Sequence, residues 1–96
     1  MTTWFISRHP GAIEWIKSSG VKIDKFKEHL CIEEISSGDV VIGVLPLTLV
    51  AKVCAKGARF LGMEFTQTRE SRGTELTSET LETMNCRLQE FFVKRL

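Results

Sequence analysis

The sequence has little of what several common classes of protein require. Its 13 basic and 12 acidic residues leave a net charge of +1, whereas domains that bind duplex DNA through a broad basic face carry a marked excess of lysine and arginine. None of its apolar runs approaches the roughly 20 residues needed to cross a bilayer. Its N-terminus does not show the charged-then-apolar pattern of a signal segment. We therefore expect a cytoplasmic protein with neither duplex DNA nor a membrane as its partner.

Cysteines are few as well. Cys31, Cys54 and Cys86 are widely spaced, odd in number and form no C-x-x-C or Cys/His metal pattern. We interpret them as reduced thiols of a cytoplasmic protein, mostly buried as small hydrophobic residues. The sequence predicts no metal site and no cofactor.

The composition present is that of one small globular domain covering residues 1–96. It is 43% hydrophobic and 26% charged, with no low-complexity stretch. A chain of this size can fold alone but is too small to enclose a deep pocket. A sizeable ligand would therefore suit the interface of a homodimer.

Strand-like and helix-like segments alternate along the chain, which predicts an α/β fold with a mainly parallel sheet flanked by helices. Trp4 and Trp15 are expected in the core or an interface before any role in base stacking. Apolar and charged residues alternate over 21–27, as in a strand near a sheet edge, while the strand at 40–43 should be central. The predicted elements are strands at 3–7, 21–27, 40–43 and 58–65, helices at 10–18 and 46–57, a helical turn at 31–35, a mobile loop at 66–75, and a long amphipathic helix from Thr77 with an apolar stripe of Leu81, Met84, Leu88, Phe91 and Phe92.

The most distinctive segment is the turn from the first strand into the first helix. Ser7, Arg8 and His9 follow the strand, and Pro10 and Gly11 open the helix. The first N–H groups of a helix lack intrahelical acceptors and carry partial positive charge, so the turn predicts an anion site. Arg8 offers a bidentate fork to phosphate and His9 can move a proton near neutral pH. An evenly weighted alternative is that His9 only caps or packs at the turn.

A second turn repeats the pattern, because the apolar run at 40–43 ends at Gly43 and continues through Leu45 to Pro46. Ligands of parallel α/β sheets bind outside the carboxyl ends of the strands, where the strand order reverses. The two turns side by side would form a phosphate-binding crevice. Gly43 permits close approach of a ligand, although a turn alone would equally require it.

Other polar residues carry weaker signals. Glu64 could face the crevice and orient Arg8 or a ribose hydroxyl, with a solvated carboxylate as the equal alternative. Arg69 and Arg72 could close over an anionic ligand from their loop, against a default of two solvated charges. His29 has no identifiable partner, so we interpret it as solvated or locally hydrogen-bonded. A serine hydrolase is disfavoured, because Ser7 lies in no G-x-S-x-G motif and has no local carboxylate.

Three segments together resemble one protein family. They are Trp-Phe-x-Ser-Arg-His-Pro-Gly-Ala at 4–12, Gly-Asp-x-Val-Ile-Gly-x-Leu-Pro at 38–46 and Gly-Ala-Arg-Phe at 57–60. The chain thereby resembles the small Csx-type (VVA-type) CRISPR-associated proteins encoded beside type III CRISPR systems, from residue 1 through 72–76. The resemblance implies a minimal homodimer akin to the CRISPR-associated Rossmann fold. It further implies that the dimer binds cyclic oligoadenylate, above all cyclic tetra-adenylate, and cleaves it as a ring nuclease that switches off antiviral signalling.

Residue roles follow from that implied activity. The ribose 2′-hydroxyl would attack the neighbouring phosphate, so cleavage would need no metal. Arg8 would stabilise the developing charge, His9 would act as general acid or base, and Ser7 would position the phosphate. The implied ligand-binding residues are Pro10, Gly11, Gly43, Leu45, Pro46, Glu64, Arg69 and Arg72.

Two alternatives stay open. A sensor or sponge of the same fold would bind the cyclic nucleotide without turnover, and its sequence would look nearly identical. An interaction subunit would dock a larger nuclease through the apolar stripe at 81–92, but this alternative leaves the Ser-Arg-His turn unexplained.

Overall fold

A computed structural model describes residues 1–64 and 85–96 of the chain. The elements follow one another as strand, helix, strand, short 3₁₀ helix, strand, helix and two strands. They are β1 (Thr3–Ile6), α1 (Pro10–Ser18), β2 (Lys25–Lys27), a 3₁₀ turn (Ile32–Glu34), β3 (Val40–Gly43), α2 (Leu47–Ala55), β4 (Arg59–Glu64) and β5 (Arg87–Phe91). In these described segments, no helix is both long and apolar enough to cross a bilayer.

The strands form one sheet in the order β2-β1-β3-β4-β5. Pairing is parallel from β2 through β4 and antiparallel between β4 and β5. The predicted α/β class with a mainly parallel sheet is therefore confirmed. The chain crosses from β1 to β2 on one side of β1 and then returns to β3 on its other side, so the strand order reverses at β1.

Two apolar clusters cover the two faces of the sheet, one beneath each helix. The strand β3 contributes to both and is buried along its whole length, as predicted for a central strand. The α2 face holds Trp4, Ile6, Ile35, Val41, Val50, Val53, Cys54, Ala58 and Phe60, and the α1 face holds Phe5, Ala12, Trp15, Ile16, Val40 and Ile42. The two helices therefore sandwich the sheet, and both tryptophans belong to the core.

The predicted helix boundaries agree closely with the structure. Pro10 is the first residue of α1, where its missing N–H costs nothing and its fixed φ suits the helix. Pro46 instead lies one residue before α2, as its N-cap. Gly20 and Gly57 follow the two helices with φ of 85°, the left-handed conformation that glycine adopts without steric cost.

The second strand is shorter than predicted. Only Lys25–Lys27 pairs with β1, and all three residues are exposed. The residues before it carry the chain from the end of α1 back to the start of the sheet, and Asp24 ends that connection by exchanging hydrogen bonds with Thr3. The prediction of an edge position is confirmed, because β2 is the first strand of the sheet.

The prediction of a long final helix is wrong over its second half, because Arg87–Phe91 forms the strand β5, which pairs with β4. The spacing of Leu88, Phe91 and Phe92 suits a helix, but pairing satisfies the backbone groups of β4 that a helix would leave open. Arg59 closes this pair at one end with two hydrogen bonds to Glu90, of 2.8 and 3.0 Å. The hypothesis of an interaction subunit required a continuous helical stripe at 81–92, and the strand β5 interrupts that stripe. The predicted loop at 66–75 and the start of the predicted helix lie outside the described residues.

The cysteines have three different environments. Cys54 is buried and Cys86 half-buried, where burial raises the pKa of the Cys86 thiol to about 11. Cys31 is exposed, contrary to the general expectation of burial, and its thiol donates to the Glu33 carboxylate at 3.2 Å. That hydrogen bond raises the pKa of Cys31. All three thiols are free, as predicted.

Asp39 is the buried charged residue at the amino-terminal edge of the sheet. Its carboxylate accepts the backbone N–H of Thr2 at 2.9 Å, the indole N–H of Trp4 at 3.1 Å and the backbone N–H of Ser36 at 3.0 Å. Burial by itself raises the pKa of this carboxyl, but the donors outweigh it and hold the pKa below its ordinary value. The carboxylate therefore stabilises the fold in its ionised form.

We predict that Asp39→Asn lowers the free energy of unfolding by about 1–3 kcal/mol, the usual cost of leaving a buried donor unsatisfied. The amide can replace only one carboxylate oxygen as an acceptor, and its NH₂ group must face one of the three N–H donors. Urea unfolding followed by circular dichroism measures the loss. Asp24→Asn is the matched control, because that exposed carboxylate accepts one backbone N–H, from Thr3 at 2.8 Å, and should cost less.

The same pKa shift gives the wild-type protein a defined acid sensitivity. The pKa of Asp39 is lower in the folded state than in the unfolded state. Its contribution to the free energy of unfolding is therefore complete above the unfolded-state pKa and is lost as pH falls through the folded-state pKa. Asp39→Asn should remove that part of the acid dependence. Equal unfolding midpoints for wild type and Asp39→Asn would contradict the assignment.

Candidate anion-binding cleft

A cleft of about 580 Å³ opens at the carboxyl ends of the parallel strands, on both sides of the point where the strand order reverses. Its volume falls within the roughly 300–1,000 Å³ typical of small-molecule sites. Segments after β1, β2 and β3 and the end of β4 line it. The lining comprises Ile6, Ser7, Arg8, His9, Ala12, Glu28, His29, Leu30, Val44, Leu45, Pro46, Leu49 and Met63.

The turn after β1 supplies most of its polar groups. Ser7 Oγ accepts the backbone N–H of His9 at 3.1 Å, which holds the turn in a tight local conformation. His9 is the N-cap residue of α1, yet its side chain makes no capping hydrogen bond. Arg8 and His9 are exposed, so both side chains are accessible to a ligand. Gly11 is buried in the first turn of α1, where its N–H has no intrahelical acceptor.

The turn after β3 supplies the facing wall. Leu45 and Pro46 line the cleft, and α2 begins at the next residue with no capping side chain. Within the part of the chain that the structure describes, two helix N-termini without side-chain caps therefore open beside one cleft. Each carries partial positive charge and N–H donors, the combination that binds anions.

Gly43 lies just behind this wall, and packing explains why this position is a glycine. It pairs with Ile6 across β1 and β3. A Cβ at this position would lie 2.6 Å from the Ile6 carbonyl oxygen, closer than van der Waals contact allows. The glycine thus lets the ends of the two strands approach each other where the cleft begins, and it is not itself among the lining residues.

The structure brings together part of the predicted site. Ser7, Arg8, His9, Leu45 and Pro46 line the cleft, Pro10 and Gly11 open the helix beside it, and Arg69 and Arg72 lie outside the described residues. Glu64 does not line the cleft, and its carboxylate accepts Arg87 Nε at 3.1 Å. Neighbouring residues of a strand point to opposite faces, so Met63 reaches the α1 side and Glu64 the other.

Sequence reasoning missed the contribution of the segment after β2. Glu28 and His29 line the cleft, and Leu30 packs against the core on the α2 face. The signal that would have found them is the strand order, because β2 runs parallel beside β1 and its carboxyl end reaches the same edge. The sequence pattern identifies β2 as an edge strand but not as the neighbour of β1.

The cleft combines apolar walls with a polar mouth. Its lining includes the Arg8 guanidinium, two imidazoles and one carboxylate, that of Glu28. Across residues 1–64 and 85–96, no group of three His, Cys, Asp or Glu residues is arranged to hold a metal ion. The arrangement can bind an anion with attached apolar rings and can transfer protons through imidazole.

Comparison with known proteins assigns the chain to a family. Residues 4–94 match the model of the family described as "Putative CRISPR-associated protein (Cas_VVA1548)". The chain belongs to this CRISPR-associated family. No curated protein and no solved structure matches it.

Family membership confirms the resemblance at the level of a CRISPR-associated protein, and the match spans both turns of the cleft. The family description names no reaction and no ligand. What this family member binds and does must therefore be inferred from its own residues.

For the cleft of this CRISPR-associated protein we predict that Gly43→Ala is more destabilising than Gly20→Ala. Gly20 has a positive φ but open space for a Cβ, so its substitution costs about 1–2 kcal/mol of backbone strain. Gly43→Ala adds a steric clash with the β1 backbone, worth about another 1–3 kcal/mol. Urea unfolding of both variants measures the difference, and equal losses would show that β1 and β3 do not need this close approach.

Proposed function

We propose that the chain binds cyclic oligoadenylate, above all cyclic tetra-adenylate, and cleaves it as a metal-independent ring nuclease. The observation that carries the proposal is the convergence of Arg8, His9 and two helix N-termini without side-chain caps on one cleft of a CRISPR-associated protein. In a type III CRISPR context, cleavage would switch off antiviral signalling.

The chemistry of the cleft suits this ligand. Each phosphodiester of the ring carries one negative charge, which Arg8 and the amide groups at the two helix starts can receive. The apolar lining, including Leu45, Leu49 and Met63, offers surface to adenine rings. Binding of this ligand does not require sequence-specific contacts to a nucleic-acid duplex.

Size favours a homodimer as the binding unit. A cleft of about 580 Å³ accommodates part of a four-nucleotide ring but not the whole of it. A two-fold axis would present two copies of the cleft to a ligand of matching symmetry. Exposed Val44 and Leu47 lie at this end of the molecule and provide apolar surface that a second copy could cover.

The proposed reaction uses a hydroxyl that the substrate already carries. The ribose 2′-oxygen attacks the adjacent phosphorus, and the protein holds the two atoms in line and stabilises the charge of the pentacoordinate state. Arg8 is the proposed charge stabiliser and His9 a proton-transfer group. Ser7 positions the turn through its hydrogen bond to the His9 N–H.

The wild-type protein should convert cyclic tetra-adenylate to linear products that end in a 2′,3′-cyclic phosphate and a 5′-hydroxyl. The rate should be unchanged in EDTA, because the 2′-hydroxyl replaces a metal-activated water as nucleophile. Mass spectrometry of single-turnover reactions identifies the products, with cyclic tri- and hexa-adenylate as ring-size controls. If the protein binds the ring tightly but leaves it intact after many hours, the nuclease hypothesis is rejected in favour of the sensor or sponge.

Arg8→Ala should weaken both binding and turnover, because a charge-assisted phosphate contact acts in the ground state and in the transition state. Arg8→Lys should restore only part of the loss, since an ammonium lacks the planar fork. Isothermal titration calorimetry measures the affinity and should give one ring per two chains. Lys22→Ala, an exposed residue on the connection before β2, is the charge-loss control, and an affinity unchanged by Arg8→Ala would remove Arg8 from the site.

A further inference from the structure

His29, like its neighbour Glu28, lines the cleft without a role in the cleavage chemistry proposed above. It lies two residues beyond β2, is exposed, and lines the same cleft as His9. The second imidazole therefore comes from a different strand end than the first.

One backbone hydrogen bond relates the two histidines. The N–H of Ser7 donates to the carbonyl oxygen of Lys27 at 2.9 Å, which extends the parallel pairing of β1 and β2 by one step. His9 lies two residues after Ser7, and His29 lies two residues after Lys27. Neighbouring strands are about 4.8 Å apart, so His9 and His29 follow adjacent strand ends at one edge of the sheet.

The segment that carries His29 is anchored on both sides. Lys27 forms an ion pair with Glu34 at 3.3 Å, and Lys56 Nζ donates to the Ile32 carbonyl oxygen at 2.7 Å. Leu30 packs against the core on the α2 face. An exposed imidazole on an anchored segment can be held at a defined distance from a bound phosphate.

The charges near the two histidines differ. His9 follows Arg8 and is the N-cap residue of α1, where the helix dipole places partial positive charge. His29 follows Glu28, which carries the opposite charge and lines the same cleft. The two imidazoles therefore have differently charged neighbours.

We propose that His29 is the general acid of the cleavage reaction and His9 its general base, an inference that rests on the proposed ring-nuclease function. His9 takes the proton of the 2′-hydroxyl as the 2′-oxygen bonds to phosphorus. The bond from phosphorus to the 5′-oxygen breaks, and His29 protonates that leaving oxygen. The step consumes no water and no cofactor, and exchange with solvent returns both imidazoles to their starting forms.

The test compares cyclic tetra-adenylate with an analogue in which sulfur replaces the bridging 5′-oxygen. A thiolate leaves without protonation, so the analogue needs no general acid. On the normal ring, His29→Ala should slow single-turnover cleavage by about 10²- to 10⁴-fold, the usual contribution of general acid–base catalysis. On the sulfur analogue, its rate should approach that of wild type, whereas His9→Ala should remain slow on both.

His29→Gln is the second variant, because it keeps the hydrogen-bonding capacity of the side chain without a transferable proton, and it should behave like His29→Ala. Lys22→Ala, which precedes β2 at the opposite edge of the sheet, is the control for general effects of substitution. Calorimetry with the intact ring should give nearly unchanged affinity for both His29 variants.

Three results would overturn the assignment while leaving the nuclease intact: normal cleavage by both His29 variants, slow cleavage of both substrates by them, or rescue of His9→Ala in place of His29→Ala. A wild-type protein that leaves the normal ring uncut would instead remove the proposed function, and the role of His29 with it.

Discussion

The buried carboxylate of Asp39 is the interaction on which the arrangement of this sheet depends. It collects N–H donors from the residue before β1, from the core indole of Trp4 and from the turn before β3. Its own backbone carbonyl oxygen accepts the Arg59 N–H at 2.8 Å as β4 begins. One residue thus aligns three parallel strands at their amino-terminal edge, and with strands of fixed register the opposite edge is aligned as well.

The two edges of the sheet are built differently. At the Asp39 edge, polar groups are paired within the protein, and the bidentate contact of Arg59 with Glu90 adds an exposed pair nearby. At the other edge, Arg8, His9 and His29 surround the cleft and neither helix is capped by a side chain. In residues 1–64 and 85–96, no side-chain cap accepts from the donors at these two helix starts, which favours an anionic ligand at this edge.

The chain belongs to a CRISPR-associated family, but the family description names no ligand. The chemistry of this edge has to be inferred from its residues. A cleft with apolar walls, a guanidinium and two imidazoles suits phosphodiesters linked to aromatic bases. A binding-only sponge would use the same guanidinium and helix starts. Under the proposed ring-nuclease function, the two imidazoles on adjacent strand ends would be the feature that separates an enzyme from a sponge, since moving two protons in one step requires two groups.

The sequence alone determined the α/β class, both helices, the central strand and the turn at Ser7, Arg8 and His9, because these depend on local signals such as Pro10, Gly20, Gly57 and short apolar runs. Only the tertiary structure decided the features that depend on strand order. It paired Arg87–Phe91 with β4 where local spacing indicated a helix, turned Glu64 away from the cleft toward Arg87, and brought His29 beside the Ser7 turn. Hydrogen bonds between strands distant in sequence leave no periodic trace in either segment, so these contacts became visible only once the sheet was assembled.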